Sequence, residues 1–194
     1  MLTKKQNIID TATRLFAYRG FEGTTTRQII IESGISDPLL YYHFKSKDDL
    51  YIQIVDTTFK KYFSCLESLP EDTSTEFEKI ENLIQLHFDM VEEMPEEIHL
   101  VIVTCPAKLN DSKHICTRNI RKQRKALTSY LANCLKAGRE SGEFIKVPIS
   151  KTVSLIIAMI NGMLRQRALG LDKLQGMDKT MVDFCRRSLL KLLI

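Results

Sequence analysis

A chain of 194 residues, 44% hydrophobic and 27% charged, has the balance of an ordinary globular protein with room for one substantial core or a small domain joined to a larger one. No apolar run approaches the roughly 18 residues that would cross a bilayer. The N-terminus MLTKKQNIID lacks the apolar stretch of a signal peptide, so a cytoplasmic protein without a membrane partner is expected. The net charge of +4 permits a nucleic-acid partner without requiring one, and five dispersed cysteines (Cys65, Cys105, Cys116, Cys134, Cys185) argue against a disulfide framework.

Helical periodicity and helix caps dominate and period-2 alternation is absent, which predicts an all-α fold of about nine helices. Thr3-Lys4-Lys5-Gln6 has the spacing of a capping box, in which two side chains satisfy orphan backbone N–H groups reciprocally. Ile8, Ile9, Ala12, Leu15 and Phe16 then share one face. Gly20 is suited to end this helix in the left-handed conformation, with Phe21 folding back on Leu15 or Phe16. A second box, Thr25-Thr26-Arg27-Gln28, opens a short helix that Gly34 closes. Ser36 is expected to cap a third helix, with Pro38 in a first turn where a missing N–H costs nothing. Ser46-Lys47-Asp48-Asp49 starts a fourth helix that reads as continuous to about residue 68. Beyond a loop at 69–75, helices are predicted near 75–94, 96–108, 112–138, 150–170 and 178–193.

Residues 25–44 therefore hold helix, glycine turn and helix, the spacing of a helix-turn-helix. Ile29, Ile30, Ile35, Leu40 and Phe44 lock the pair together. Asp37, Pro38, Leu39, Tyr41, Tyr42 and His43 are left facing outward, on a helix narrow enough for the major groove. Arg27, Lys45 and Lys47 are placed to meet phosphates. The expected division is a DNA-binding domain at 1–50 and an effector-binding and dimerisation domain at 51–194.

The stretches Ala12-Thr13-Arg14-Leu15-Phe16, Arg19-Gly20-Phe21, Gly23-Thr24-Thr25-Thr26, Ser33-Gly34-Ile35-Ser36 and Leu40-Tyr41-Tyr42-His43-Phe44-Lys45-Ser46-Lys47-Asp48-Asp49-Leu50 are specific in combination. Through them, residues 8–55 resemble the N-terminal domain of the tetracycline-repressor-type (TetR) family of transcriptional regulators. The resemblance implies contacts from Thr26 and Arg27 to phosphate or to a base, phosphate contacts from Tyr41, His43 and Lys47, and base-edge contacts from Pro38, Leu39 and Tyr42, with Ser36 and Asp37 completing the DNA-binding set. Two positions depart from the family's habit. Asp37 stands where a neutral or basic residue is common, and Leu39 where a small hydroxyl residue is common. An acid there accepts from cytosine N4, or it simply favours the positive end of the helix dipole; Leu39 suits a thymine methyl.

One short helix reads few bases, so operator recognition needs two heads about 34–36 Å apart on pseudo-palindromic double-stranded DNA, hence a homodimer. Ser154, Ala158 and Gly162 form a small-residue stripe in a late helix, and Met181, Cys185, Ser188 and Leu189 a stripe in the last; together they are the expected dimer interface, with ordinary monomer core as the plainer reading. Phe59, Phe63, Phe88, Met90, Cys105, Leu131 and Asn161 are candidates to line an effector pocket, though for each of them core packing is the plainer reading. The apolar character of that set implies a hydrophobic or amphipathic small molecule. The charge clusters Arg118, Arg121, Lys122, Arg124, Lys125 and Glu92, Glu93, Glu96, Glu97 read as solvated faces, with mutual pairing or an anionic effector as alternatives.

The expectation is a ligand-released repressor without cofactor or metal, and not an enzyme: His114-Ile115-Cys116 fits no common zinc spacing, and no phosphate loop or nucleophile motif occurs. A cysteine-based redox sensor on the same fold is the alternative. An activator is open as well, since the sequence does not fix the sign of regulation.

Overall fold

The computed structural model describes residues 3–104, 113–170 and 176–191. Among them are nine α-helices and no strand: α1 Lys4–Arg19, α2 Thr26–Ser33, α3 Asp37–His43, α4 Lys47–Glu67, α5 Glu76–Glu93, α6 Pro95–His99, α7 Ile115–Glu140, α8 Ile149–Ala168 and α9 Met177–Leu189. The chain forms two compact units, Met1–Lys61 with Met94–Asn119, and Tyr62–Glu93 with Ile120–Ile194. This partition differs from a single cut at residue 50. Helix α4 contributes to both units without a break.

In the first unit the early helices begin and end on their own side chains. Thr25 and Gln28 close a complete capping box at α2. Thr3 forms only half of one: its hydroxyl accepts from the Gln6 amide, while the Gln6 side chain turns forward to Asp10. Ser36 occupies the cap position of α3 but makes no capping bond, which corrects that expectation. The α3 start is held instead by backbone bonds from Leu39 and Leu40 to the Ser36 carbonyl. At α4 the Asp49 amide donates to Ser46 Oγ at 3.1 Å, and the Asp49 carboxylate accepts the Lys45 amide at 2.9 Å. Gly34 sits at φ 64°, the left-handed region that a β-carbon disfavours, and turns the chain from α2 into α3. Gly20 also has positive φ, but its ψ of 167° lies outside the left-handed helical well.

Ile8, Ala12, Phe16, Ile29, Leu40, Phe44, Leu50 and Val55 are buried together as the core of this unit. The Phe16 ring packs 5.7 Å from Phe21 and edge-on to Tyr51. Helix α6 and the π-helical turn Leu100–Thr104 pack against α1. Of the predicted helix at 96–108, the described part is a five-residue α-helix that widens into a π turn, and residues 105–108 lie outside the described residues. Pro95 starts it in the first turn, where proline is tolerated.

In the second unit α5 packs on α8 and α9. Ile80, Leu83, Ile84, Leu131, Leu135 and Ile160 fill the interior. Thr75 and Glu78 close a capping box at the start of α5, and a residue far along the chain takes the next two amides: Glu143 Oε2 accepts from Glu76 at 2.9 Å and Oε1 from Phe77 at 2.8 Å. Beside it the chain forms an isolated antiparallel bridge, Phe144 to Leu190. Gly138 is obligatory here, because a β-carbon on it would lie 2.3 Å from the Phe144 ring.

Candidate nucleic-acid interface

The helix-turn-helix is tied together by its own packing and side-chain contacts. Ile29, Ile30, Leu40 and Phe44 bury the facing sides of α2 and α3. The Asn7 side chain donates to the Ser33 carbonyl at 2.7 Å, and Glu32 takes Arg14 at 3.0 Å and Arg19 at 3.3 Å, tying α1 to α2. Thr24, fully buried, donates to the Leu15 and Gly20 carbonyls and fixes the chain just before α2.

On that frame the expected readers lie on one short helix. Tyr42 is 81% exposed and Tyr41 54% exposed, large aromatic groups left in solvent while Leu40 and Phe44 fill the buried side. Ser36, Asp37 and Pro38 are exposed at the start of α3, and Leu39 and His43 are half-exposed. The Tyr42 and His43 rings meet edge-on at 5.0 Å. Thr26 is half-exposed at the first position of α2 and Arg27 is exposed beside it. The structure thus brings the set together around the α2 and α3 N-termini, with backbone N–H groups of both helix ends nearby.

Two residues do more than their sequence positions suggested. Lys47 Nζ donates to the Phe21 carbonyl at 2.8 Å and the Thr24 carbonyl at 2.9 Å, and lies 4.1 Å from the Phe21 ring centre. Two of its three protons are spent pinning the loop before α2 onto α4, which leaves one for a phosphate. Arg27 Nη1 lies 3.5 Å from Asp37 Oδ1. Each residue was legible singly. Their pairing was signalled only by opposite charges at the openings of two successive helices.

The residues proposed for the effector half separate. Phe59 is buried in the first unit; Phe88, Met90 and Leu131 are buried and Phe63 half-buried in the second. Asn161 is exposed, which corrects its place as an interior lining residue. Cys105 lies outside the described residues. Ser154, Ala158, Gly162 and Ser188 are exposed, as an interface requires. Met181, Cys185 and Leu189 are buried in the monomer, a correction: helix α9 turns that stripe toward its own core and leaves Phe184, 53% exposed, outside.

The sequence reading missed the polar group inside the second unit. His87 is fully buried on α5; its Nδ1 lies 2.7 Å from the Leu83 carbonyl, so that nitrogen carries the proton. Nε2 then faces the Tyr62 hydroxyl at 3.4 Å as an acceptor. Burial lowers the His87 pKa and raises that of Tyr62, so both are neutral. The spacing Ile80, Leu83, Ile84, His87, Val91 was the available signal, since His87 falls on the buried stripe of α5. Of the charge clusters, Arg121, Lys122, Arg124 and Lys125 are exposed, with Lys122 Nζ 4.1 Å from the Phe63 ring centre; Glu92 pairs with Arg167 rather than with α7.

Cys65, Cys134 and Cys185 are free thiols, whereas Cys116 is disulfide-bonded, which corrects the expectation at that position. Burial pushes the Cys134 thiol up to about 12 and the Cys185 thiol up to about 11, the opposite of the lowered pKa that a thiolate sensor needs. Among the described residues no cluster of His, Cys, Asp and Glu has the arrangement of a metal site, and no helix is long and apolar enough to cross a membrane.

Residues 8–54 match the family model described as bacterial regulatory proteins, tetR family. That match places the helix-turn-helix segment, about a quarter of the chain, with the DNA-binding domains of the tetR family. The chain is a DNA-binding transcriptional regulator of the helix-turn-helix type. Over 140 residues, 72% of this chain and 70% of the relative, the regulator is 26% identical to the fatty acid metabolism regulator protein of Bacillus subtilis. Over 127 residues, 63% of this chain and 60% of the relative, it is 28% identical to the HTH-type transcriptional repressor KstR2 of Mycolicibacterium smegmatis. The regulator also shares its fold with AibR, solved in complex with isovaleryl coenzyme A and operator DNA. That likeness has a TM-score of 0.72, covers 95% of this chain and 96% of that one, and carries 17% identity.

Proposed function

We propose that the regulator is a cytoplasmic, dimeric repressor without a catalytic step, which holds a pseudo-palindromic operator through two heads and leaves it when a hydrophobic or amphipathic small molecule enters the second unit. The observation that carries this reading is α3: a short helix with Pro38, Tyr41 and Tyr42 exposed and Leu39 half-exposed on one side while Leu40 and Phe44 are buried on the other. Exposed tyrosines of this size add nothing to the fold, whereas in a major groove they meet base edges and phosphates.

The second copy follows from the outward side of the second unit. Leu155, 64% exposed, lies on α8 with Ala158 and Gly162, and Phe184 is exposed on α9. Small residues beside large apolar ones suit a two-fold helical interface. The ligand class is supported by an apolar interior holding a few polar groups, and by the repressor and fatty-acid regulator among the relatives. A ligand that favours the released form binds more weakly when operator is present, and a coupling of about 1–3 kcal/mol changes affinity roughly 5- to 150-fold.

Selection from a random DNA pool tests the reading, with sedimentation to count subunits and a panel of fatty acids, acyl thioesters and steroids as competitors. Enrichment of an inverted repeat, bound by a dimer and released by an apolar competitor, is the expected result. A monomer on DNA without sequence preference overturns it. Release only by highly charged metabolites overturns the ligand class.

A further inference from the structure

Arg27 and Asp37 form an ion pair that stability does not explain. The guanidinium and carboxylate lie 3.5 Å apart with side chains 72% and 58% exposed, and an exposed pair of this kind adds little to folding. Two other pairs in the first unit, Arg14 and Arg19 on Glu32, join helices α1 and α2 along their sides. Arg27–Asp37 instead joins the second residue of α2 to the first residue of α3, across two helix N-termini. Both ends carry the positive pole of a helix dipole, which disfavours an arginine and favours an aspartate. Arg27 thus lies beside Asp37 at the start of α3, where the outward residues begin.

We infer that Asp37 is a positioning residue for specificity: it holds the Arg27 guanidinium so that Arg27 reads a guanine edge in the major groove instead of clamping a phosphate. This rests on the repressor reading above, in which α3 enters that groove. An arginine free at the groove margin takes the nearest phosphate, a contact without sequence information. A carboxylate offsets the guanidinium charge and so weakens the pull of the phosphates. Its single contact is with Nη1, which leaves the other N–H donors free for the two acceptors, O6 and N7, of guanine. The carboxylate repels phosphate directly, which keeps the pair in the groove. Direct acceptance of a cytosine N4 proton by Asp37 is the competing role, and the two differ in whether the effect of Asp37 depends on Arg27.

The test is selection from a random pool, then titration of the chosen site and its single-base variants with the full chain, Asp37→Asn, Arg27→Ala and the double variant. Wild type is expected to prefer G·C at one pair in each half-site by at least about fivefold. Asp37→Asn loses that preference while binding non-specific DNA more tightly, since one negative charge has gone. Arg27→Ala loses the same preference at the same pair, and the double variant is no less selective than either single one. Thermal melting of all four chains is unchanged, because both side chains are exposed. Retention of the preference in Asp37→Asn overturns the inference. So does a loss that Asp37→Asn causes equally in the Arg27→Ala background, which assigns Asp37 to a base of its own. If wild type enriches no sequence, the repressor reading itself falls and this inference falls with it.

Discussion

The head and the second unit differ in how far along the chain their helix caps reach. In the head, Thr3, Thr25 with Gln28, and Ser46 with Asp49 satisfy amides within four residues of themselves. In the second unit Thr75 and Glu78 close a local capping box at α5, but the amides of Glu76 and Phe77 go to a carboxylate 67 and 66 positions away, and α8 and α9 begin on Pro148 and Gly176 without any side-chain cap. A surface that must meet DNA in one geometry is set locally, side chain by side chain. The second unit, which the proposed function makes the ligand-binding one, is held also by contacts between distant parts of the chain.

The largest effect should come from the interior of the second unit. Leu131→Ala, at a fully buried site, is expected to cost about 2–5 kcal/mol in chemical denaturation. Tyr42→Ala should invert that result: melting stays at the wild-type value, while operator affinity, read by fluorescence anisotropy, falls by about 1–3 kcal/mol. A Tyr42→Ala chain that melts early would break the division between a reading surface and a stabilising core.

His87 gives a pH signature confined to the second unit. Burial lowers its pKa from 6.5, so the folded state binds fewer protons than the unfolded one. Its neutral form therefore supports folding fully above about pH 7, and stability falls as pH drops through 6.5, by up to about 1.4 kcal/mol per unit. Melting between pH 7.5 and 5.5 should show a shallower slope in His87→Gln than in wild type. The smallest effect sharpens the comparison most. Thr25→Ala and Glu143→Ala each remove a helix cap and should each cost about 1 kcal/mol. Only Thr25→Ala should also weaken operator binding, since α2 opens beside the recognition helix.

Much of the head was legible because its causes are local. Capping boxes, a glycine at positive φ and apolar spacing fixed α1 to α4 and their outward residues within a turn or so. Lys47 was misjudged in part because carbonyl acceptors at Phe21 and Thr24 leave no mark in sequence. Farther along, helix periodicity located α5, α7, α8 and α9 but not how they are rotated. The Met181, Cys185 and Leu189 stripe is apolar whether it faces a partner or its own core, and Asn161 reads as a buried polar residue until α8 turns it outward. Glu143 had no local signal at all.

One consequence follows from the packing of α6 and the π turn on α1. Ile98, Leu100 and Val101 are buried in the same unit as the head, and Tyr18 stacks 5.0 Å from His99. A fragment cut after the fourth helix would strip this cover and bare an apolar strip of α1 to water. Such an excised head would be prone to aggregation and to proteolysis, and a ribosome that has made only the first sixty or so residues has not yet made a finished reader of DNA. The segment that names the family and the piece that can stand alone are therefore different lengths of chain.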